Sequence, residues 1–176
     1  SATDTVARDA AAATSTGWQA RLALGFEREP TRTVLARREH HGPLRIQKAL
    51  YPEGPEVCQA IIVHPPGGIV GGDRLELAID AGSGTSVQVT TPGATKWYRS
   101  AGATALATTR IRAAPGSCVE WLPQEAIVFD AARASIATRI DLDGDAAFLG
   151  WEIVSLGRAA AGERFTRGRL RQTFEL

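Results

Sequence analysis

Carboxylates set among apolar residues are the groups in this chain with the most chemistry to offer. In Phe148-Leu149-Gly150-Trp151-Glu152-Ile153-Val154-Ser155-Leu156 both faces of an extended strand are apolar, and Glu152 would share its face with Phe148, Gly150, Val154 and Leu156. A carboxylate there is costly unless it is paired or meets water. Two readings are open: an arginine partner or sheet-edge position, and the polar wall of a cavity or channel. Asp73 closes the glycine-rich stretch His64-Pro65-Pro66-Gly67-Gly68-Ile69-Val70-Gly71-Gly72-Asp73, where its plainer role is to cap a turn. Glu120-Trp121-Leu122-Pro123-Gln124-Glu125 sets two carboxylates around a bulky apolar pair, as a solvated or partner-facing loop would. Lys96, Trp97, Tyr98 and Arg99 follow the Pro92-Gly93 turn. That mix suits a protein interface, since aromatics and arginine anchor interfaces, and its plainer reading is a surface turn. No pair among these groups has the neighbours of a general acid and base.

Other chemistries fail on spacing. A P-loop needs Gly-Lys-Ser/Thr opening a helix, whereas Asp73-Arg74 follows the glycines. The dinucleotide fingerprint needs glycine where Ile69 stands, and the segment beyond is strand-like, with no helix N-terminus to hold an anion. Ser83, in Ala81-Gly82-Ser83-Gly84-Thr85, is one glycine short of a nucleophile elbow and reads as a turn. His40, His41 and His64 lack the spacings of zinc enzymes. Cys58 and His64 on one strand would lie about 20 Å apart, too far to share a metal ion.

The groups must be positioned by strands. Val57–His64 is an apolar run leading into the Pro/Gly stretch, which is too rich in breakers for a helix and richer than a simple hairpin turn requires. The expectation is a compact loop between strands; the alternative is a backbone-lined ligand or partner site. Period-two or apolar runs recur at Trp18–Leu24, Thr31–His40, Leu44–Leu50, Arg74–Asp80, Thr85–Thr91, Thr104–Ala113, Ser117–Leu122, Ala126–Phe129, Ala134–Leu142, Ala146–Leu156 and Gly168–Leu176, with Gly, Pro and Asp turns between them. No sustained helical stripe is present. The pattern predicts an all-β layered fold, with a rhythm suited to stacked or helically wound sheets but no repeat of fixed period.

The 176 residues suffice for one domain with a core, and 44% are apolar. Lys+Arg at 20 against Asp+Glu at 19, with no basic run, gives no footprint for nucleic acid. No apolar run reaches the length of a membrane span. Two cysteines do not make a disulfide scaffold, so a reducing cytoplasm is expected. Residues 1–16 read as a disordered tail ahead of a single domain over 17–176. The chain stops in mid-pattern at Phe174-Glu175-Leu176, as if more protein followed.

Several ordered motifs together resemble the UreD (UreH) family of urease accessory proteins. They are the 64–73 stretch with His64, Pro65, Pro66, Gly67, Gly68, Gly71 and Gly72; Thr91-Pro92-Gly93-Ala94-Thr95-Lys96-Trp97-Tyr98-Arg99-Ser100; Glu120 through Phe129; and Leu149 through Arg158. Gly42 through Gln47 and Tyr51-Pro52-Glu53-Gly54 also fit. The resemblance implies an all-β fold of stacked sheets in a β-helical arrangement with little helix. It implies a non-enzymatic maturation factor that binds apo-urease and UreF, and through UreF the GTPase UreG. It implies no tightly bound cofactor, with nickel as an ion in transit. By motif position Asp73, Thr95 and Glu152 would line an internal polar tunnel, while Lys96, Trp97, Tyr98, Arg99, Glu120, Gln124 and Glu125 would offer partner surface. Family members continue well beyond the equivalent of Leu176, so the chain would lack the family's C-terminal portion.

Overall fold

The computed structural model describes residues 17–176; the expected tail at 1–16 lies outside the described residues. Nearly all the regular secondary structure of the described chain is strand. In order come β1 (Gln19–Arg28), β2 (Thr33–His41), β3 (Arg45–Ile46), β4 (Val57–Val63), β5 (Arg74–Ala81), β6 (Ser86–Thr90), β7 (Thr95–Trp97), β8 (Ala105–Ala113), β9 (Cys118–Leu122), β10 (Ala126–Val128), β11 (Arg133–Leu142), β12 (Ala147–Gly150), β13 (Val154–Leu156) and β14 (Arg169–Glu175). One 3-10 turn, Ala159–Ala161, interrupts them. Among the described residues no helix is long and apolar enough to cross a membrane.

The strands wind as a three-sided coil. Sheet A runs β14-β11-β8-β5-β1-β2, sheet C runs β12-β9-β6-β4-β3, and sheet D runs β13-β10-β7. The chain visits A, then C, then D in each coil: β5, β6, β7; then β8, β9, β10; then β11, β12, β13; then β14 on A. In the first coil β1 and β4 supply sheets A and C, and Ile69, bridged in parallel to Trp97, supplies D. Pairing between successive coils is parallel throughout. Arg74 pairs with Leu106 and Leu106 with Ser135, a repeat of about thirty residues whose length varies from coil to coil. Unequal corners, and the β2–β3 excursion inserted in the first coil, hide that repeat in the sequence.

Alternation within each strand turns every second side chain inward, and parallel register stacks these residues coil on coil. On sheet A, Leu24, Ile79, Ile111 and Ile140 form one inward row, all 2% exposed or less. On sheet C, Cys58, Val87, Val119 and Phe148 form another. The first coil is covered at its edges by antiparallel strands, β2 on β1 and β3 on β4, and β2 carries the exposed run Arg37 to His41. Charge on an edge strand discourages further pairing. At the opposite end β12, β13 and β14 are outermost, and Leu149, Trp151, Ile153, Leu156 and Phe174 are exposed there.

Three expectations need correction. Ala146–Leu156 is not one strand: β12 ends at Gly150, β13 starts at Val154, and Trp151–Ile153 makes the corner between sheets C and D. That corner is held by Trp151 N–H to Trp121 O at 3.1 Å and Ala126 N–H to Ile153 O at 2.8 Å. The apolar run continues through the bend although Trp151 and Ile153 are exposed there at the outermost coil, so composition gave no break. Glu152 therefore sits in a corner and shares no strand face with Phe148. Next, the segment after Pro92-Gly93 is strand β7 and not a surface turn; Trp97, 2% exposed, cannot present itself to a partner. Finally, Leu44–Leu50 yields only β3 and a bridge from Leu50 to Gln59.

The 64–73 stretch is a pair of tight turns flanking one strand residue. Gly67 N–H bonds His64 O at 3.0 Å and Asp73 N–H bonds Val70 O at 3.1 Å, while Ile69 exchanges backbone bonds with Lys96 O and Tyr98 N–H, both at 2.8 Å. Two turns in ten residues explain the breaker content. A Cβ on Gly68 would overlap the Tyr98 ring, and one on Gly71 would come 2.6 Å from Ala103 O. The stretch is thus the place where the first coil lies against the second.

Ile111, fully buried between Ile79 and Ile140, tests the stacking. Ile111→Ala should cost about 2–5 kcal/mol in urea unfolding, whereas Arg110→Ala on the outer face should stay within about 0.5 kcal/mol.

Candidate functional site

A cavity of about 150 Å³ occupies the coil interior between the three sheets. Its wall begins with apolar side chains of the first coils, Ile62, Ile69, Leu75 and Leu77, and reaches Glu152, Ile153 and Gln172 at the last. Register explains the change in character. One inward row of sheet A reads Leu22, Leu77, Thr109, Thr138; the next reads Ala20, Leu75, Ala107, Ile136, Gln172. The interior turns from aliphatic to hydroxyl and amide as the coils advance.

Glu152 stands at the polar end. Its Oε1 accepts from Thr138 Oγ1 and, at 3.4 Å, from Trp121 Nε1; its Oε2 accepts from Gln172 Nε2 at 3.1 Å. Each donor is neutral, and no ion pair among the described residues includes Glu152. Of the two sequence readings of this residue, the geometry is that of a carboxylate in a cavity wall without an arginine partner. A negative charge held only by dipoles in a confined cleft makes the local potential negative. Thr91, Thr95, Thr109 and Gln124 add polar groups to the wall, with Thr95 at the start of β7. Trp97 also faces the cavity, and its buried Nε1 has no hydrogen-bond acceptor among the described residues.

The other expected residues lie elsewhere. Asp73 is 1% exposed, and its two oxygens accept from Trp18 N at 2.8 Å and Val70 N at 2.9 Å. That is a turn cap, and Asp73 is not among the cavity-lining residues. His64 closes β4 beside it; burial pushes its imidazole pKa down while the Asp73 charge opposes this, and its Nε2 is buried without a partner among the described residues. Pro65, Pro66 and Gly67 are exposed, while Gly68 and Gly72 are buried in the turns. Among the described residues no three His, Cys, Asp or Glu side chains converge as metal ligands would.

Nor do the expected partner-surface residues form one patch. Glu120 lies on the outer face of sheet C in a polar ladder: Gln59 Nε2 donates to Gln88 Oε1, and Gln88 Nε2 donates to Glu120 Oε2 at 2.7 Å. Gln124 reaches the cavity, its N–H bonded to Thr91 Oγ1 at 3.0 Å, and Glu125 is half-buried at the C-to-D corner. Lys96 and Arg99 are exposed on and after β7, but Tyr98 is half-buried, edge-on to Phe129 with ring centres 4.9 Å apart.

Sequence reasoning missed a clamp beside that aromatic pair. The Arg158 guanidinium lies 4.6 Å over the Phe129 ring and pairs with Glu163, through Nε at 2.8 Å. Asp130 Oδ1 accepts from Thr166 N at 2.8 Å and Arg167 N at 2.9 Å, and Oδ2 from the Arg167 guanidinium at 3.3 Å. Those amides, first of all, hold the Asp130 carboxyl well below the usual carboxylate range. No motif announces the clamp, because its partners meet only when the 157–168 loop folds back on β10.

The chain matches the family model described as UreD urease accessory protein over residues 19–176. A protein of Azoarcus sp. named urease accessory protein UreD is 58% identical over 152 residues, which is 86% of this chain and 53% of the relative. One of the same name from Dechloromonas aromatica is 56% identical over 155 residues, 88% of this chain and 54% of the relative. One from Nitrosococcus oceani is 52% identical over 159 residues, 90% and 54% respectively. The chain thus spans about half the length of these curated relatives.

Glu152→Ala should cost about 1–3 kcal/mol in urea unfolding, because Thr138, 2% exposed, loses its acceptor; Glu152→Gln keeps an acceptor and should cost less. The Asp130 clamp should stabilise fully above the ordinary carboxylate pKa and weaken as pH falls through the lowered native value. Asp130→Asn should flatten that acid limb in a series of thermal melts and speed tryptic cleavage after Arg164 and Arg167 at neutral pH.

Proposed function

This chain belongs to the UreD urease accessory protein family, and on that premise we propose that it is a non-catalytic factor in urease maturation, one that binds apo-urease and the UreF–UreG pair and assists nickel insertion into the urease active site. The observation that carries the nickel part is the Glu152 carboxylate in the cavity wall, held by Thr138, Trp121 and Gln172 with no cation among the described residues. Such a group attracts a divalent ion. The oxygen donors of the same wall, from Thr91, Thr95, Thr109, Gln124 and Gln172, exchange readily with an ion's water. A thiolate would hold nickel tightly. Cys58, however, is buried on sheet C outside the cavity wall, and burial pushes its thiol pKa up, keeping it protonated. The wall therefore suits an ion passing through better than one stored. A cytoplasmic location is part of the proposal, consistent with two free cysteines.

Nickel per urease active site, measured in cells carrying urease and its accessory proteins, tests both levels of this reading. Omitting the protein should leave urease nickel-poor, and restoring it should refill the sites. Glu152→Gln, which removes the charge and keeps the shape, should lower nickel content several-fold with the protein present at its usual level. Equal loading without the protein would overturn the maturation role. Full loading with Glu152→Gln, where omission depletes, would overturn the cavity path and leave a factor that only opens urease.

A further inference from the structure

Sheet A distributes charge unevenly over its outer face. Toward the ends of its strands the signs mix: Arg37 pairs with Asp80, Arg139 Nε donates to Asp141 at 2.9 Å, and Arg112 stands between Asp80 and Asp141. In the two rows where the strands enter from sheet D every charged residue is a cation, and the first carboxylate, exposed Glu76, comes one row further on beside Arg21. Register sets Arg133 directly beside Arg169. Two residues on, Arg171 lies beside Ser135, in a row that runs through Leu106 to Arg74. These arginines point outward, since the intervening Leu75, Ala134 and Leu170 are buried or half-buried, and all four are exposed. Exposed Arg99, its backbone bridged to Ala132, adjoins them.

No ion pair among the described residues includes any of the five. Of the nearby carboxylates, Asp130 is engaged by Thr166 and Arg167 and Glu163 by Arg158, while Glu76 lies at the Arg74 end of the column, three strands from Arg169. Neighbouring strands lie about 4.8 Å apart, so Arg133 and Arg169 repel at close quarters. Like charges directly opposite destabilise a sheet. Net charge is only +1, so the cluster does not follow from a basic composition. Among the described residues nothing packs on this column to offset the repulsion within it.

We propose that this arginine column at the D-to-A corner docks an acidic segment of a partner protein. Arginine forks match carboxylates bidentately. Arg169 and Arg171, alternate residues on β14, stand about 7 Å apart, the spacing of same-side carboxylates on an extended acidic peptide. The column holds no aromatic side chain on which bases could stack, which sets a nucleic acid aside. The proposal is independent of the nickel path.

Fluorescence anisotropy with a labelled oligoglutamate peptide tests it. Arg133→Glu with Arg169→Glu should weaken binding roughly tenfold, and raised salt should weaken the parent's binding. Arg110→Glu with Arg112→Glu, on the mixed rows of the same sheet, changes net charge equally and should weaken binding less than about twofold. Equal losses in the two variants would reduce the effect to net charge and overturn the proposal, as would absence of binding at low salt. Tighter binding of a single-stranded oligonucleotide of equal charge would reassign the surface to nucleic acid. Arg133→Glu alone should melt at or above the parent temperature, because it replaces repulsion with attraction beside Arg169; a clearly lower melt would make the column structural and overturn the docking role.

Discussion

Parallel register between successive coils is the constraint on which the rest of this molecule depends. Because β5 lies on β1, β8 on β5 and β11 on β8 without a shift of face, Leu24, Ile79, Ile111 and Ile140 meet in one column. Burial of such columns on three sides offsets the entropy of ordering a chain with almost no helix. A slip of one residue would turn every aliphatic row outward, so the columns enforce the register that creates them. The charged antiparallel strand β2 ends this pairing on one side of sheet A.

The same stacking places the chemistry. A coil interior is a set of rows, and a change of residue along a row is a change along the axis. Leu22 and Leu77 give way to Thr109 and Thr138, and Ile136 to Gln172, so the cavity is apolar at the early coils and polar at the late ones. Glu152 enters from a corner between sheets, where the chain must bend and the backbone is not committed to a ladder. A carboxylate is tolerable there because Thr138, Trp121 and Gln172 are already stacked around it. Outside, the same register that stacks isoleucines also stacks Arg133 on Arg169. Inward stacking lowers the free energy and outward stacking of like charge raises it, which is why the arginine column calls for a partner and the isoleucine column does not.

The Pro/Gly stretch shows how closely the coils are tied. Among the described residues Ile69 alone supplies sheet D in the first coil, and it is held there by two turns and two backbone bonds to β7 and Tyr98. Asp73 closes the second turn by accepting from Val70 and, across 55 residues, from Trp18. Gly68 leaves room for the Tyr98 ring, whose edge meets Phe129, above which lies Arg158. Contacts thus run from the first coil to the 157–168 loop along the sheet-D face.

Local pattern alone determined that this chain is built of strands with little helix, since period-two runs such as Arg74–Asp80 and Thr104–Ala113 express a backbone geometry that each segment carries by itself. It also singled out the 64–73 stretch as tight turns, and Glu152 as a carboxylate in apolar company, because breakers and burial cost are properties of residue type. The ordered motifs pointed to the family. Tertiary structure alone decided that the sheets close into a three-sided coil, because coil lengths vary and pairing partners lie about thirty residues apart. It bent the run Ala146–Leu156 at Trp151–Ile153, a corner whose two apolar residues are exposed at the outermost coil and which no breaker residue announces. It moved Asp73 out of the cavity wall and Trp97 into it, and it assembled the Asp130 clamp and the arginine column. Each of these is a meeting of residues from different coils, and such meetings are set by register, which no single segment encodes.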